Sequence, residues 1–136
     1  GSMGVIFNNS GSMSGNSSGP VLSFHGDGLG SGWAGITFYN AATGTVDGDV
    51  SIDVQGGMNL VFENDGTMSG AGAAGTALSV ADNGQLQAAN LGQIAGLWAI
   101  TAGTNDDFIY QGSLGRSAKF NFLAVAVAIR CSIKVP

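Results

Sequence analysis

The chain has 136 residues, enough for one ordinary domain, with 44% hydrophobic residues, 10% charged residues and 24 glycines. That hydrophobic share excludes a solvated disordered chain. A net charge of −5 with only four basic residues excludes a nucleic-acid surface, which needs clustered Lys and Arg. Much of the apolar fraction is alanine, so a lone copy is expected to bury little apolar surface, and a core shared with identical copies is the expected remedy.

Gly1-Ser2-Met3 reads as a cloning scar. Residues 4–84 form a Gly-rich region in which glycine recurs every few residues. Each interior glycine would cost a helix about 1 kcal/mol relative to alanine. The short segments between glycines are rich in Val, Ile, Phe and Thr, the punctuation of many short strands joined by tight turns. An internal repeat supports this. Residues 6–15 read IFNNSGSMSG and residues 61–70 read VFENDGTMSG. The likeness continues from GPVLSFHGDG (19–28) to GTALSVADNG (75–84), with a weaker third copy, YNAATGTVDG, at 39–48. Asn and Gly tolerate positive φ, so each copy is expected to be a strand–turn–strand unit. Its apolar residue before the turn (Phe7, Phe62, Tyr39) then shares a buried face with the one after it (Met13, Met68, Val46). Such units bury that face only by stacking.

Residues 85–136 form a second β region. Its start, QLQAANLGQIAGLW (85–98), has mixed spacings and allows a short helix or turn, a joint between the two regions. Its end alternates: Leu123, Val125, Val127, Ile129, Cys131, Ile133 and Val135 fall on one face. Period two over this length means one long strand, or two joined by a bend. Cys131, the single cysteine, excludes an intrachain disulfide and reads as a small buried hydrophobe. All nine carboxylates lie between Asp27 and Asp107, and the four basic residues, Arg116, Lys119, Arg130 and Lys134, follow them. A basic segment packing on an acidic body is one reading, and a basic tip meeting an acidic polysaccharide is the other. The apolar run near the C-terminus is too short, and too often interrupted by charge, to span a membrane.

The strand WAGITFYN (33–40), leading into the Gly turn AATGT, resembles segments repeated in phage tail-fibre and baseplate-associated proteins. The Asn-x-Gly-x-Met-Ser-Gly repeats resemble the same Gly-rich fibre modules, over residues 5–84. The resemblance implies an extracellular, virion-borne viral protein: a homotrimeric β-rich tail fibre joined to the rest of the fibre or tail. Such fibres often end in a domain that binds a bacterial surface glycan or outer-membrane receptor. The expected fold is therefore all-β, with short strands and Gly turns in repeated units. It is expected as an intertwined homotrimer with a β-sandwich-like, β-helical or prism body.

Nothing in the sequence assembles a catalytic set. His25 is the single histidine, so every Ser-His-Asp or Cys-His arrangement must use it, and no nucleophile elbow accompanies it. A non-enzymatic host-attachment module without a cofactor is the expectation. Its rivals are a structural shaft, collar or capsid-decoration module and a fragment of a capsule or lipopolysaccharide depolymerase. The receptor contacts are expected from Trp33, Tyr39, Trp98, Asn105, Asp106, Asp107 and Tyr110, because aromatic faces stack on sugar rings while amides and carboxylates bind hydroxyls. Core packing is the competing role for Trp98 and Tyr110. His25 and Asp27, brought together from three copies on a trimer axis, are the candidate ligands for a metal ion. A turn histidine bonded to backbone is the default. Asp47, Asp49 and Asp53, and Asn105 to Asp107, have a loose calcium-like spacing but lack the further ligands of a calcium loop.

Overall fold

The computed structural model describes residues 4–15, 19–26, 35–54, 59–70, 76–82, 85–102, 107–111, 118–124 and 129–133. These form strands β1 (Gly4–Asn9), β2 (Ser12–Ser14), β3 (Leu22–Gly26), β4 (Gly35–Asn40), β5 (Thr45–Asp47), β6 (Val50–Val54), β7 (Asn59–Asn64), β8 (Thr67–Ser69), β9 (Thr76–Asp82), β10 (Leu86–Asn90), β11 (Gln93–Ala102), β12 (Asp107–Gln111), β13 (Ala118–Ala124) and β14 (Ile129–Ile133). No helix occurs among the described residues.

The expected fold is overturned by the strand pairing. Strand–turn–strand units closed by tight turns pair antiparallel. Here every described pairing is parallel. That is the sheet geometry familiar from α/β proteins, built without helices among these residues. Nor is an intertwined set of copies needed to close the core, because one chain stacks strands of successive coils on each other. A six-stranded sheet runs β1-β4-β7-β10-β12-β14, and an eight-stranded one runs β2-β5-β8-β11-β9-β6-β3 with β13 on β11. The second sheet curls back on itself because β11 is long enough to pair with β8 through Gln93–Ala95 and with β9 and β13 beyond.

The corners are glycines. Gly48, between β5 and β6, has φ +133°, and Gly96, inside β11 where its pairing changes partner, has φ +114°. Side chains rarely adopt that backbone, so the bend depends on glycine at both places.

Each inward position stacks like on like. Ile36, Leu60 and Leu86 form one buried column and Val46, Met68 and Ile94 a second. Val50, Leu78 and Trp98 form a third, and Ile52, Val80 and Ile100 a fourth. The rings of Phe7, Phe38 and Phe62 lie nearly parallel, with centroids 5.4 and 5.1 Å apart. Phe24 meets Phe7 edge-on at 5.7 Å. In the next coil the column shrinks to Ala88, and Trp98 approaches from the opposite sheet to within 6.0 Å of Phe62. The alanine-rich composition thus sustains a core: each buried side chain is covered by its counterparts in the coils above and below, so few bulky residues suffice.

The segment 85–98 is not a helix. It is β10, a turn and the start of β11, with Leu86, Ala88 and Asn90 buried and Gln87 exposed between them. The alternating C-terminal segment is two strands in different sheets, β13 beside β11 and β14 beside β12.

Candidate functional site

The turn from the six-stranded sheet into its neighbour is organised by one residue type. Asn9, Asn40, Asn64 and Asn90 end β1, β4, β7 and β10, and all four are buried. Asn9 Nδ2 donates to Asn40 Oδ1 at 2.8 Å, Asn40 Nδ2 to Asn64 Oδ1 at 2.7 Å, and Asn64 Nδ2 to Asn90 Oδ1 at 2.7 Å. The partners are 31, 24 and 26 residues apart in sequence, one coil each. The expectation of positive φ at these asparagines is corrected, since no non-glycine residue among those described has it. The side-chain ladder holds the turn instead. Beside it stand Gly44, Gly66 and Gly92. A Cβ at Gly66 would run into the Gly44 carbonyl oxygen, and one at Gly92 into that of Gly66. These glycines serve close approach between coils.

The third copy of the repeat aligns differently from the sequence reading. Phe38, not Tyr39, is in register with Phe7 and Phe62. Its turn is also longer: Asn40 reaches Val46 through Ala41-Ala42-Thr43-Gly44-Thr45, whereas Asn64 reaches Met68 through Asp65-Gly66-Thr67. Thr43 Oγ1 ties this longer turn to the Ser10 carbonyl at 2.9 Å.

Moved one place along β4, Tyr39 points to the outer face, half-buried between buried Phe38 and Asn40. The parallel register continues from it through Glu63 and Ala89 to Tyr110. Two of the candidate receptor contacts therefore share one outward line, with the column Thr37, Val61 and Gln87 beside it. The Tyr39 hydroxyl donates to Asp65 Oδ2 at 2.9 Å. That bond, then burial and the negative charges of Asp65 and Glu63, raises the Tyr39 phenol above its ordinary pKa.

The other candidates are dispersed. Trp98 is 3% exposed and belongs to the core, not to the outer face. Trp33, Asn105 and Asp106 lie outside the described residues, and of Asp107 only the backbone is described, at the start of β12. His25, on the outer side of β3, places Nδ1 3.2 Å from Asp53 Oδ2 of the adjacent β6, while Asp27 lies outside the described residues. Asp47, from the calcium-like spacing, accepts a hydrogen bond from Ser69 at 2.9 Å. Among the described residues, no group of three or more His, Cys, Asp or Glu side chains comes together as a metal site. Sequence reasoning missed Glu63, Asp65 and Gln87. The signal for Glu63 and Asp65 was present in the VFENDG repeat, where outward and inward positions alternate, but it was assigned wholly to a turn, and Gln87 lay in the segment read as a possible helix.

The class this geometry defines is a single-chain stack of parallel β-coils with an asparagine ladder at one turn and an aromatic–carboxylate line on one face. Compared with known proteins, the chain matches no family model, no curated protein and no solved structure.

Proposed function

We propose that the chain is a non-catalytic attachment module that holds a hydroxyl-rich polymer, a bacterial surface glycan, against the outer face of its six-stranded sheet. The setting proposed for it is a phage tail fibre. The observation that carries the binding reading is the outward line Tyr39–Glu63–Ala89–Tyr110. Strands in a sheet lie about 4.8 Å apart, so the two tyrosines stand about 14 Å apart across three strand spacings. A short oligosaccharide spans that distance. The rings offer faces for sugar C–H surfaces, Glu63 and Gln87 offer hydroxyl partners, and the alanine between them leaves room for a ring to lie flat. The expected homotrimer belongs to this proposal as an association of finished coils side by side. It would multiply a weak single face into useful avidity, and solution mass measures it.

The test is a glycan array probed with the whole chain, followed by Tyr39→Ala and Tyr110→Ala. Retention of at least one bacterial glycan, weakened about tenfold or more by each substitution, is the expected result. Empty arrays, or binding that survives both substitutions, would leave the structural-shaft reading in its place. That second reading is favoured by the edge strand β1. Val5 and Ile6 of β1 are 52% and 80% exposed, suited to end-to-end coupling along a fibre.

A further inference from the structure

Among the described residues, all three strands of the first coil are edge strands. β1 opens the six-stranded sheet, and β2 and β3 stand at the two ends of the path through the eight-stranded one. The inward columns thin out with them. Val5 is 52% exposed although its in-register neighbour Ile36 is buried, and Phe7, Leu22 and Phe24 are only half-buried over buried Phe38, Val50 and Ile52. Stacked repeats need a polar terminal repeat where nothing follows, and this coil has no carboxylate, lysine or arginine from Gly4 to Gly26. Its amide ladder, by contrast, is closed. Asn40, Asn64 and Asn90 each accept at Oδ1 from the preceding asparagine, whereas Asn9 Oδ1 accepts from the Gly11 N–H of its own coil at 3.2 Å. The partner that fits this end therefore brings apolar cover and a strand edge, and no asparagine. A copy's last strands do not fit. Continuing the register would set Ile133 of β14 in line with Asn9, and β13 and β14 carry Lys119 and Arg130. A copy's first coil does fit. A two-fold contact sets each surface against itself, so a charged end repels its own copy and an uncharged one does not.

We infer that two copies of this chain meet head to head, β1 against β1 in antiparallel pairing about a two-fold axis at Ile6. Directly opposite residues of an antiparallel pair share a face. Centring at Ile6 thus places Ile6 on Ile6 outside and each copy's Val5 over the other's Phe7 inside. Centring at Phe7 would instead set apolar Val5 on Asn9. The inference rests on neither the glycan nor the shaft reading, and it makes coupling through this edge a closed pair and not an open filament.

The test is disulfide trapping in the whole chain, with its own thiol removed by Cys131→Ala. Opposed Cα atoms of an antiparallel pair lie about 4.5–5.5 Å apart, within disulfide range. Ile6→Cys is therefore expected to give a covalent dimer under mild oxidation. Asn8→Cys, exposed on the same outward side but four residues from its own copy, about 13 Å along the strand, should give less than about one-tenth as much. Light scattering should show a mass that doubles and then stops, whether the doubling unit is one chain or a side-by-side trimer. Ile6→Lys and Ile6→Glu, both at an exposed position, should each halve that mass. Their equimolar mixture should restore it, because opposite charges then face each other at the axis. Mass that keeps growing with concentration, crosslinking of Asn8→Cys as fast as of Ile6→Cys, or a mixture no larger than its components would overturn the inference. So would a parent that never doubles. Tyr110→Ala should leave all of these readings unchanged while weakening glycan retention, so the failure of one proposal is read apart from the other.

Discussion

Asn64 accepts from one coil, donates to the next, and also lies within reach of the Gly66 and Gln93 carbonyls. No other side chain of that size offers both a donor and an acceptor in a plane, so the position tolerates little. Gly66 is bound as tightly by space. Gly66→Ala forces its methyl into the Gly44 carbonyl, and overpacking of this kind is expected to cost about 1–3 kcal/mol, read as a lower midpoint in urea unfolding. Tyr39 gives a spectroscopic prediction. Its hydrogen bond to Asp65 favours the neutral phenol, so the folded-state pKa lies above the unfolded value near 10. The stabilisation is fully present below that unfolded value and is lost as pH rises through the raised one. Phenolate absorbance of the folded chain should show late titration of Tyr39, and Asp65→Asn should bring it earlier. An unchanged titration would mean the bond is not formed in solution.

At the level of elements, the short β2, β5 and β8 contribute one inward side chain each, whereas β4 and β7 contribute two buried apolar ones and an asparagine. The stacked phenylalanines therefore register the coils. Phe38 is fully buried between two parallel rings, and Phe38→Ala should cost about 3–5 kcal/mol, measured by thermal or chemical unfolding. A smaller loss would mean that Phe7 and Phe62 can close the gap.

The sequence made the strands, their alternation and a stacked repeat legible. It did not reveal that the clear repeat, Phe7 with Phe62 and Met13 with Met68, connects every second coil. The coil between them hides because its turn is two residues longer and its outward Tyr39 mimics an inward aromatic. Nor could local pattern distinguish a turn that reverses the chain within a sheet from one that passes it to the next sheet. Both use Asn and Gly, and only the partner of each strand, a non-local fact, separates them. The outer line of Tyr39 and Tyr110 was legible as residue types and not as a line, because the register that aligns them spans four strands.

For the molecule as a whole, the first coil carries no carboxylate, lysine or arginine from Gly4 to Gly26, yet among the described residues its β1 is an edge strand of the six-stranded sheet. Native proteins guard such edges with charge. The chain by itself is therefore expected to associate with rising concentration, and Ile6→Lys on this edge should suppress the association without lowering the melting temperature by more than about 1 kcal/mol equivalent, as seen by light scattering. A monodisperse parent at high concentration would remove the argument.

The amides of the ladder all point the same way, which gives the seam a polarity like that of a current. At its downstream end, Asn90 Nδ2 is buried with no acceptor among the described residues, and the residue in register with it is Gln111. The rule that governs three successive rungs thus changes letter at the fourth. Gln111→Asn should therefore add a fourth rung, giving the terminal amide the kind of receiver its predecessors enjoy, and a higher midpoint in chemical unfolding would record it.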